Sequence, residues 1–227
     1  GEITSRTRSG NFFQNAIPST ALFSRRSNTE PFIWALKEGS SAGLAAFNTV
    51  TEEEFDVASN SSNFSQPPWG TATLSDSAWA VQGMRRDGNK YIYVGRGNGT
   101  REWARYDMVN DEWASMSPNT PNDVNQGCAA TLVPKEATGY SQDRIYLVRG
   151  DDTDVFWSIA IDDSGNPSGS WVTHGSLPRD SGGFPFDNAE RMFYVGGDRL
   201  FFVYEDNDDM YYFQFPANPT DSGSWVQ

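Results

Sequence analysis

The sequence predicts an all-β protein, a β-propeller of four four-stranded blades, with a fifth partial blade as the alternative. Three observations carry that reading. Short runs of Ile, Val, Tyr, Phe and Trp recur along all 227 residues and are split by Gly, Asn and Asp turns. A tryptophan closes successive units at blade spacing, Trp171 lying 58 residues after Trp113 and Trp225 another 54 on. No stretch keeps apolar residues at helical spacing over a window of about 11 residues without an intervening Gly, Pro or Asx turn. The composition agrees. Hydrophobic residues are only 37% of the chain, yet aromatic residues are 14%, so rings must fill much of the core.

Each unit shows the same four runs. The first blade, residues 19–60, reads TALFSRR, PFIWALKEG, AGLAAFN and EEFDVAS. The second, 75–116, reads SAWAVQGM, KYIYVGRG, REWARYD and a last strand opened by NDEW. The third, 127–174, reads GCAATLVP, DRIYLVRG, VFWSIAID and SWVTHG, with a loop through residue 142 after its first strand. The fourth, 188–227, reads ERMFYVGG, DRLFFVYE, DMYYFQF and SWV. Runs such as YIYV and FFVY are apolar at both alternating positions, which fits strands covered on both faces by neighbouring sheets. The segment 1–18 is left over. Its GEITSRT start could supply a closing strand or be donated to a neighbouring molecule, and donation would propagate head to tail. A two-domain β-sandwich is the competing architecture, but a sandwich gives no reason for a repeat.

The charge excludes partners. Thirty Asp and Glu stand against seventeen Lys and Arg, for a net charge of −13. Phosphate backbones and anionic lipid would repel such a surface. No apolar run reaches the length of about 20 residues that a helical membrane span needs. Nucleic acid and membrane insertion are therefore not expected. The sequons at Asn60, Asn63 and Asn98 point to N-glycosylation and a secreted, extracellular protein.

Catalytic residues are hard to find. The one histidine, His174, follows a blade-closing strand, and no G-x-S-x-G turn accompanies it. It reads as a surface or loop-packing residue. One His and one Cys cannot make a usual zinc set, and Cys128 sits in the apolar GCAATLV as a small hydrophobe. The acidic clusters at 151–154, 162–163 and 205–209 lack the alternating ligand spacing of a calcium loop and read as hairpin turns. Asp221 to Trp225 approaches a sialidase-type Asp-box but is one residue short. No enzyme activity, cofactor or metal is expected.

KYIYVGRG followed by REWARYDMVNDEW resembles a kelch blade, in which a hydrophobic strand ends in Gly-Gly, a Tyr precedes Asp, and a Trp opens the last strand. Here Tyr106 and Trp113 take those places, Gly95-Arg96-Gly97 interrupts the glycine pair, and Gly196-Gly197 is the intact one. DRIYLVRG with SGSW is also similar to the blades of fungal fucose-binding propeller lectins. That resemblance implies an Arg, a Glu and aromatic rings gripping a sugar, and Arg101, Glu102 and Trp103 are the one such grouping here. The expected function is an extracellular non-enzymatic binding or structural module, with self-assembly into a surface layer or fibre as one form of it. Carbohydrate binding is the alternative and a glycan hydrolase the second alternative. The expected partner is a protein, a glycan or a second copy.

Overall fold

A computed structural model describes residues 22–27, 30–37, 43–48, 54–56, 65–70, 74, 77–83, 91–97, 99–179, 191–203 and 210–227. The N-terminal segment 1–18, the sequons at Asn60, Asn63 and Asn98, and the acidic cluster 205–209 lie outside these residues.

The described chain forms four antiparallel sheets of four strands, each a meander contiguous in sequence. The first sheet is β1 (Leu22–Ser27), β2 (Glu30–Lys37), β3 (Gly43–Asn48) and β4 (Glu54–Asp56). The second is β5 (Trp79–Gln82), β6 (Tyr91–Gly95), β7 (Trp103–Asp107) and β8 (Glu112–Ser115). The third is β9 (Ala129–Val133), β10 (Asp143–Val148), β11 (Phe156–Ile161) and β12 (Pro167–Thr173). The fourth is β13 (Arg191–Tyr194), β14 (Arg199–Val203), β15 (Met210–Gln214) and β16 (Ser224–Val226). The recurring Trp113, Trp171 and Trp225 fall in β8, β12 and β16, the fourth strand of their sheets.

The sheets stack face to face in sequence order. Leu44 and Ala46 of the first sheet share a core with Ala80, Ile92, Val94 and Tyr106 of the second. Trp79, Tyr93 and Trp103 of the second meet Ile145, Leu147, Trp157 and Ile159 of the third. Tyr146, Val148 and Phe156, on the other face of the third, meet Leu200, Phe202 and Phe213 of the fourth. This explains why β10 and β11 are apolar on both sides, since every residue of β11 is buried. The first strands β5, β9 and β13 lie side by side, with β9 in the middle.

The closed propeller disc expected from the repeat is not formed. Closure would lay the first sheet over the outer face of the fourth. Instead Phe193, Val195, Met210 and Val226 on that face remain 37–65% exposed to water. No core cluster among the described residues joins the fourth sheet to the first. The four sheets form an open series.

Local chemistry shapes the turns. Asp162 accepts hydrogen bonds from the Ser164 and Asn166 main-chain N–H groups at 2.9 Å each, an Asx turn that closes the β11–β12 hairpin. Asp107 does the same for Val109 and Asn110. The β9–β10 connection holds one helical turn, α1 (Lys135–Thr138), where only a loop is expected from sequence; Gly139 ends it in the left-handed region at φ 72°. Gly150, after β10, has φ 74°, and a Cβ there would lie 2.1 Å from the Gln126 carbonyl oxygen. Backbone cannot yield as a side chain does. Gly150→Ala is expected to cost about 3 kcal/mol, from left-handed strain plus the clash, read as a lowered denaturation midpoint. No change would show that the loop relaxes freely.

Candidate functional site

A cup of about 220 Å³, open on one side, lies beside the second sheet. Pro68 and Trp69 come from the turn 65–70, Glu102 and Trp103 from the start of β7, and Ser115, Met116 and Asn119 from the end of β8 and the loop beyond it. The turn is built by the PPWG sequence, with the Gly70 N–H donating to the Pro67 carbonyl at 2.9 Å. Trp69 packs edge-on against Trp113 with ring centroids 6.0 Å apart. Its indole Nε1–H is enclosed and has no hydrogen-bond partner among the described residues. Such a donor makes a polar acceptor nearby worth more than it would be at a solvated site.

The three consecutive candidates from sequence separate. Trp103 is 2% exposed and belongs to an aromatic stack, 5.9 Å from Trp79, 6.2 Å from Tyr93 and 5.6 Å from Trp171. Its Nε1–H donates to the Pro118 carbonyl at 2.8 Å, so it sits in the cup wall as a packed residue. Glu102 is exposed, lines the cup and pairs with Arg96 at 2.5 Å. Arg101 does not line the cup; its Nε–H is held by the Thr120 carbonyl at 2.6 Å. The structure adds Trp69, Ser115 and Asn119, which sequence reasoning did not single out as binding residues. The Pro-Pro-Trp-Gly turn was the available signal for Trp69, since an aromatic held on a tight turn need not be core.

The single histidine lies elsewhere, at the seam between the third and fourth sheets. His174 is 5% exposed and packed among Tyr146, Phe156 and Phe213. The Ser158 hydroxyl lies 2.7 Å from its Nε2, while its Nδ1 lies 3.0 Å from the Asp221 main-chain oxygen. Arg144 donates to the same hydroxyl oxygen through Nε (3.1 Å) and Nη2 (2.8 Å). Ser158 Oγ thus accepts from Arg144, leaving its own proton to donate to Nε2. Nδ1 must then carry the imidazole proton and donate to Asp221. The relay is complete only with a neutral ring. Burial, with Arg144 nearby, pushes His174 down to about 4 in spite of the Asp221 carbonyl. Burial also lowers Arg144 and raises Tyr146, whose hydroxyl is enclosed beside Arg144 and Tyr140 without a well-formed hydrogen bond.

A Ser–His pair at 2.7 Å invites a nucleophile reading. Ser158 is 0% exposed, so no substrate carbonyl can approach its oxygen in this arrangement. Nδ1 faces a main-chain carbonyl where a triad places a carboxylate. Chemically, the relay fixes orientation across the seam. Cys128 is half-buried beside the second and third sheets, with Sγ 3.1 Å from the Ser77 carbonyl oxygen. Among the described residues no group of three His, Cys, Asp or Glu side chains is arranged to hold a metal ion. No helix among them is long and apolar enough to cross a membrane.

No family model matches the chain, and no curated protein matches it. The class the coordinates define is therefore the architecture itself, an all-β protein of four antiparallel four-stranded sheets. Among solved structures, the SapL1 lectin in complex with alpha methyl fucoside is similar, with 15% identity, a TM-score of 0.48, and coverage of 94% of this chain. This chain spans 63% of the length of that lectin chain. The kelch resemblance has no counterpart in these comparisons. The structure also separates its glycine signals. Gly95, Gly97 and Gly150 end the second strands β6 and β10 or follow them, whereas Gly196-Gly197 lies in the β13–β14 turn, after a first strand.

Proposed function

We propose that this protein is a non-enzymatic carbohydrate-binding module, and that the cup between Trp69 and Glu102 is its sugar site. One observation carries the reading: an indole, a carboxylate and an amide converge on a concave surface of about 220 Å³. A pyranose has an apolar C–H face and a rim of hydroxyls, and it needs that mixture of aromatic surface with a few placed polar groups. The volume is below the range of about 300–1,000 Å³ for drug-sized ligands, which suits a single ring. Glu102 accepts from hydroxyls while Arg96 holds it in place, and Asn119 both donates and accepts. A ring of this size at about −0.3 kcal/mol per heavy atom binds with a dissociation constant on the order of millimolar. The sequons at Asn60, Asn63 and Asn98 support an extracellular setting for such a module.

Titration with a panel of monosaccharides, starting with alpha methyl fucoside, tests this through tryptophan fluorescence. Trp69→Ala and Glu102→Gln are each expected to weaken binding about tenfold, the loss of about 1.4 kcal/mol. Trp103→Ala is a poor probe, because a ring 2% exposed fails first by unfolding. Silence across the panel and across a glycan array overturns the reading.

A further inference from the structure

The turn that carries Trp69 is fastened more firmly than its counterparts in the chain. Three tryptophans of fourth strands reach back to the linker before their own sheet. Trp113 Nε1–H donates to the Ser65 carbonyl at 3.0 Å, Trp171 Nε1–H to the Pro118 carbonyl at 3.4 Å, and Trp225 Nε1–H to the Gly175 carbonyl at 3.5 Å. A bond that recurs with the repeat belongs to the packing of one sheet on the next.

At the second sheet a carboxylate is added. Asp111, in the β7–β8 turn, accepts from the Ser65 main-chain N–H at 2.9 Å through Oδ1 and at 3.1 Å through Oδ2. It also accepts from the Ser65 hydroxyl at 3.3 Å, and the Tyr106 hydroxyl donates to its Oδ1 at 2.7 Å. A carboxylate on a main-chain N–H makes a stronger bond than a neutral acceptor does. Asp111 holds this place in the left-handed region, at φ 56°. A side chain there is strained, and it stays only where its surroundings hold it. Neither of the other linkers repeats the clamp. Pro118 has no N–H to give, and the Gly175 N–H donates to the Ser222 main-chain carbonyl at 3.2 Å.

The extra bonds fall at the root of the turn that builds the cup. Trp69 stands four residues after Ser65. Trp113 holds the Ser65 carbonyl, packs against Trp69 at 6.0 Å and against Tyr106 at 4.9 Å. Asp111, Tyr106 and Trp113 thus form one socket around Ser65, and none of the three lines the cup.

We propose that Asp111 is the positioning residue of the cup, setting where the Trp69 indole stands by holding Ser65, without touching the sugar. This rests on the sugar-site reading above. A wall fixed before the ligand arrives lowers the ordering cost of binding, so the clamp acts on affinity.

Titration with alpha methyl fucoside, or with whichever sugar of the panel the wild type binds, tests the proposal alongside hydrogen–deuterium exchange of a peptide spanning residues 65–70. Asp111→Gly suits the left-handed backbone and removes the carboxylate. It is expected to weaken the sugar about tenfold and to speed exchange in that peptide about tenfold, with exchange in β6 and β7 unchanged. Asp111→Asn keeps an oxygen for Tyr106 and Ser65 and tolerates the same backbone. It is expected to restore binding to within about threefold of the wild type. Full sugar affinity in Asp111→Gly, where Trp69→Ala has lost it, overturns the positioning role and leaves the sugar site standing. Unchanged exchange at 65–70 in Asp111→Gly overturns the clamp itself. Faster exchange throughout β6 and β7 would make Asp111 a stability residue and overturn the proposal as well. A wild type that binds no sugar removes the sugar reading and this proposal with it.

Discussion

Phe156→Ala is expected to cost about 3–5 kcal/mol, read as a fall in the urea midpoint with the slope unchanged. Phe156 opens β11, is fully buried, and is the ring on which the third and fourth sheets meet. Its centroid lies 5.6 Å from Tyr146 on its own sheet. From the fourth sheet Phe213 approaches to 5.1 Å, Trp225 to 5.2 Å and Phe202 to 5.7 Å. His174 adds a fifth contact at 5.3 Å. Two of these rings, Phe202 and Phe213, meet it edge to face, an arrangement worth more than area burial alone. Truncation to Ala removes the shared partner and leaves a cavity whose walls come from two sheets, so collapse on one side opens the other. Phe193→Ala supplies the contrast. It removes the same side chain from the outer face of the fourth sheet, where the ring is 38% exposed, and is expected to cost no more than about 1 kcal/mol. A loss below about 1 kcal/mol for Phe156→Ala would mean that the seam is looser than the ring geometry shows.

The contrast between Phe156 and Phe193 also marks where the sequence stops being legible. Both phenylalanines stand in short apolar strands, and nothing local tells which one is covered. The strands themselves were readable, because period-two runs punctuated by Asp and Gly follow from backbone stereochemistry at each position. So was the fourth-strand place of Trp113, Trp171 and Trp225, because a repeat copies its packing. Closure was not readable. It depends on the angle at which each whole sheet meets the next, and no residue encodes that alone. The cup was half readable. Glu102 was found because it is charged beside an aromatic, but the neighbouring Trp103 turned into the core, and the tryptophan that stands at the cup, Trp69, is 33 residues earlier than Glu102 in the sequence. The relay was missed for a similar reason. Nothing local to Arg144 names its partners, which meet only because β11 sets Ser158 under it and the end of β12 sets His174 against Ser158.

That relay makes a pH prediction with an unusually clean assignment, since the sequence has one histidine. In the folded protein His174 takes a proton only near pH 4, whereas in the unfolded chain it does so near pH 6.5. Between those values the unfolded state binds more protons, so stability falls as the solution is acidified. The contribution is fully present above about pH 6.5. It declines by about 1.4 kcal/mol per unit, for a total of about 3 kcal/mol by pH 4. The structural cause is specific. A proton on Nε2 would face the Ser158 hydroxyl proton, and Ser158 could not turn to accept it without releasing the two Arg144 donors. It would also set a second positive charge beside a guanidinium that is 6% exposed and has no carboxylate in ion-pair range among the described residues. The measurement is a difference between two proteins, so that every other group in the chain is held constant. His174→Gln keeps an oxygen to accept from Ser158 and cannot be protonated. Urea unfolding of both proteins at pH 7 and pH 4.5 should show the wild type losing about 2–3 kcal/mol more than the variant on acidification. The carboxylates are common to the two proteins and cancel. An equal loss in both would mean that His174 is not held neutral, and the hydrogen-bond polarity assigned from Arg144 through Ser158 to the Asp221 carbonyl would have to be reversed.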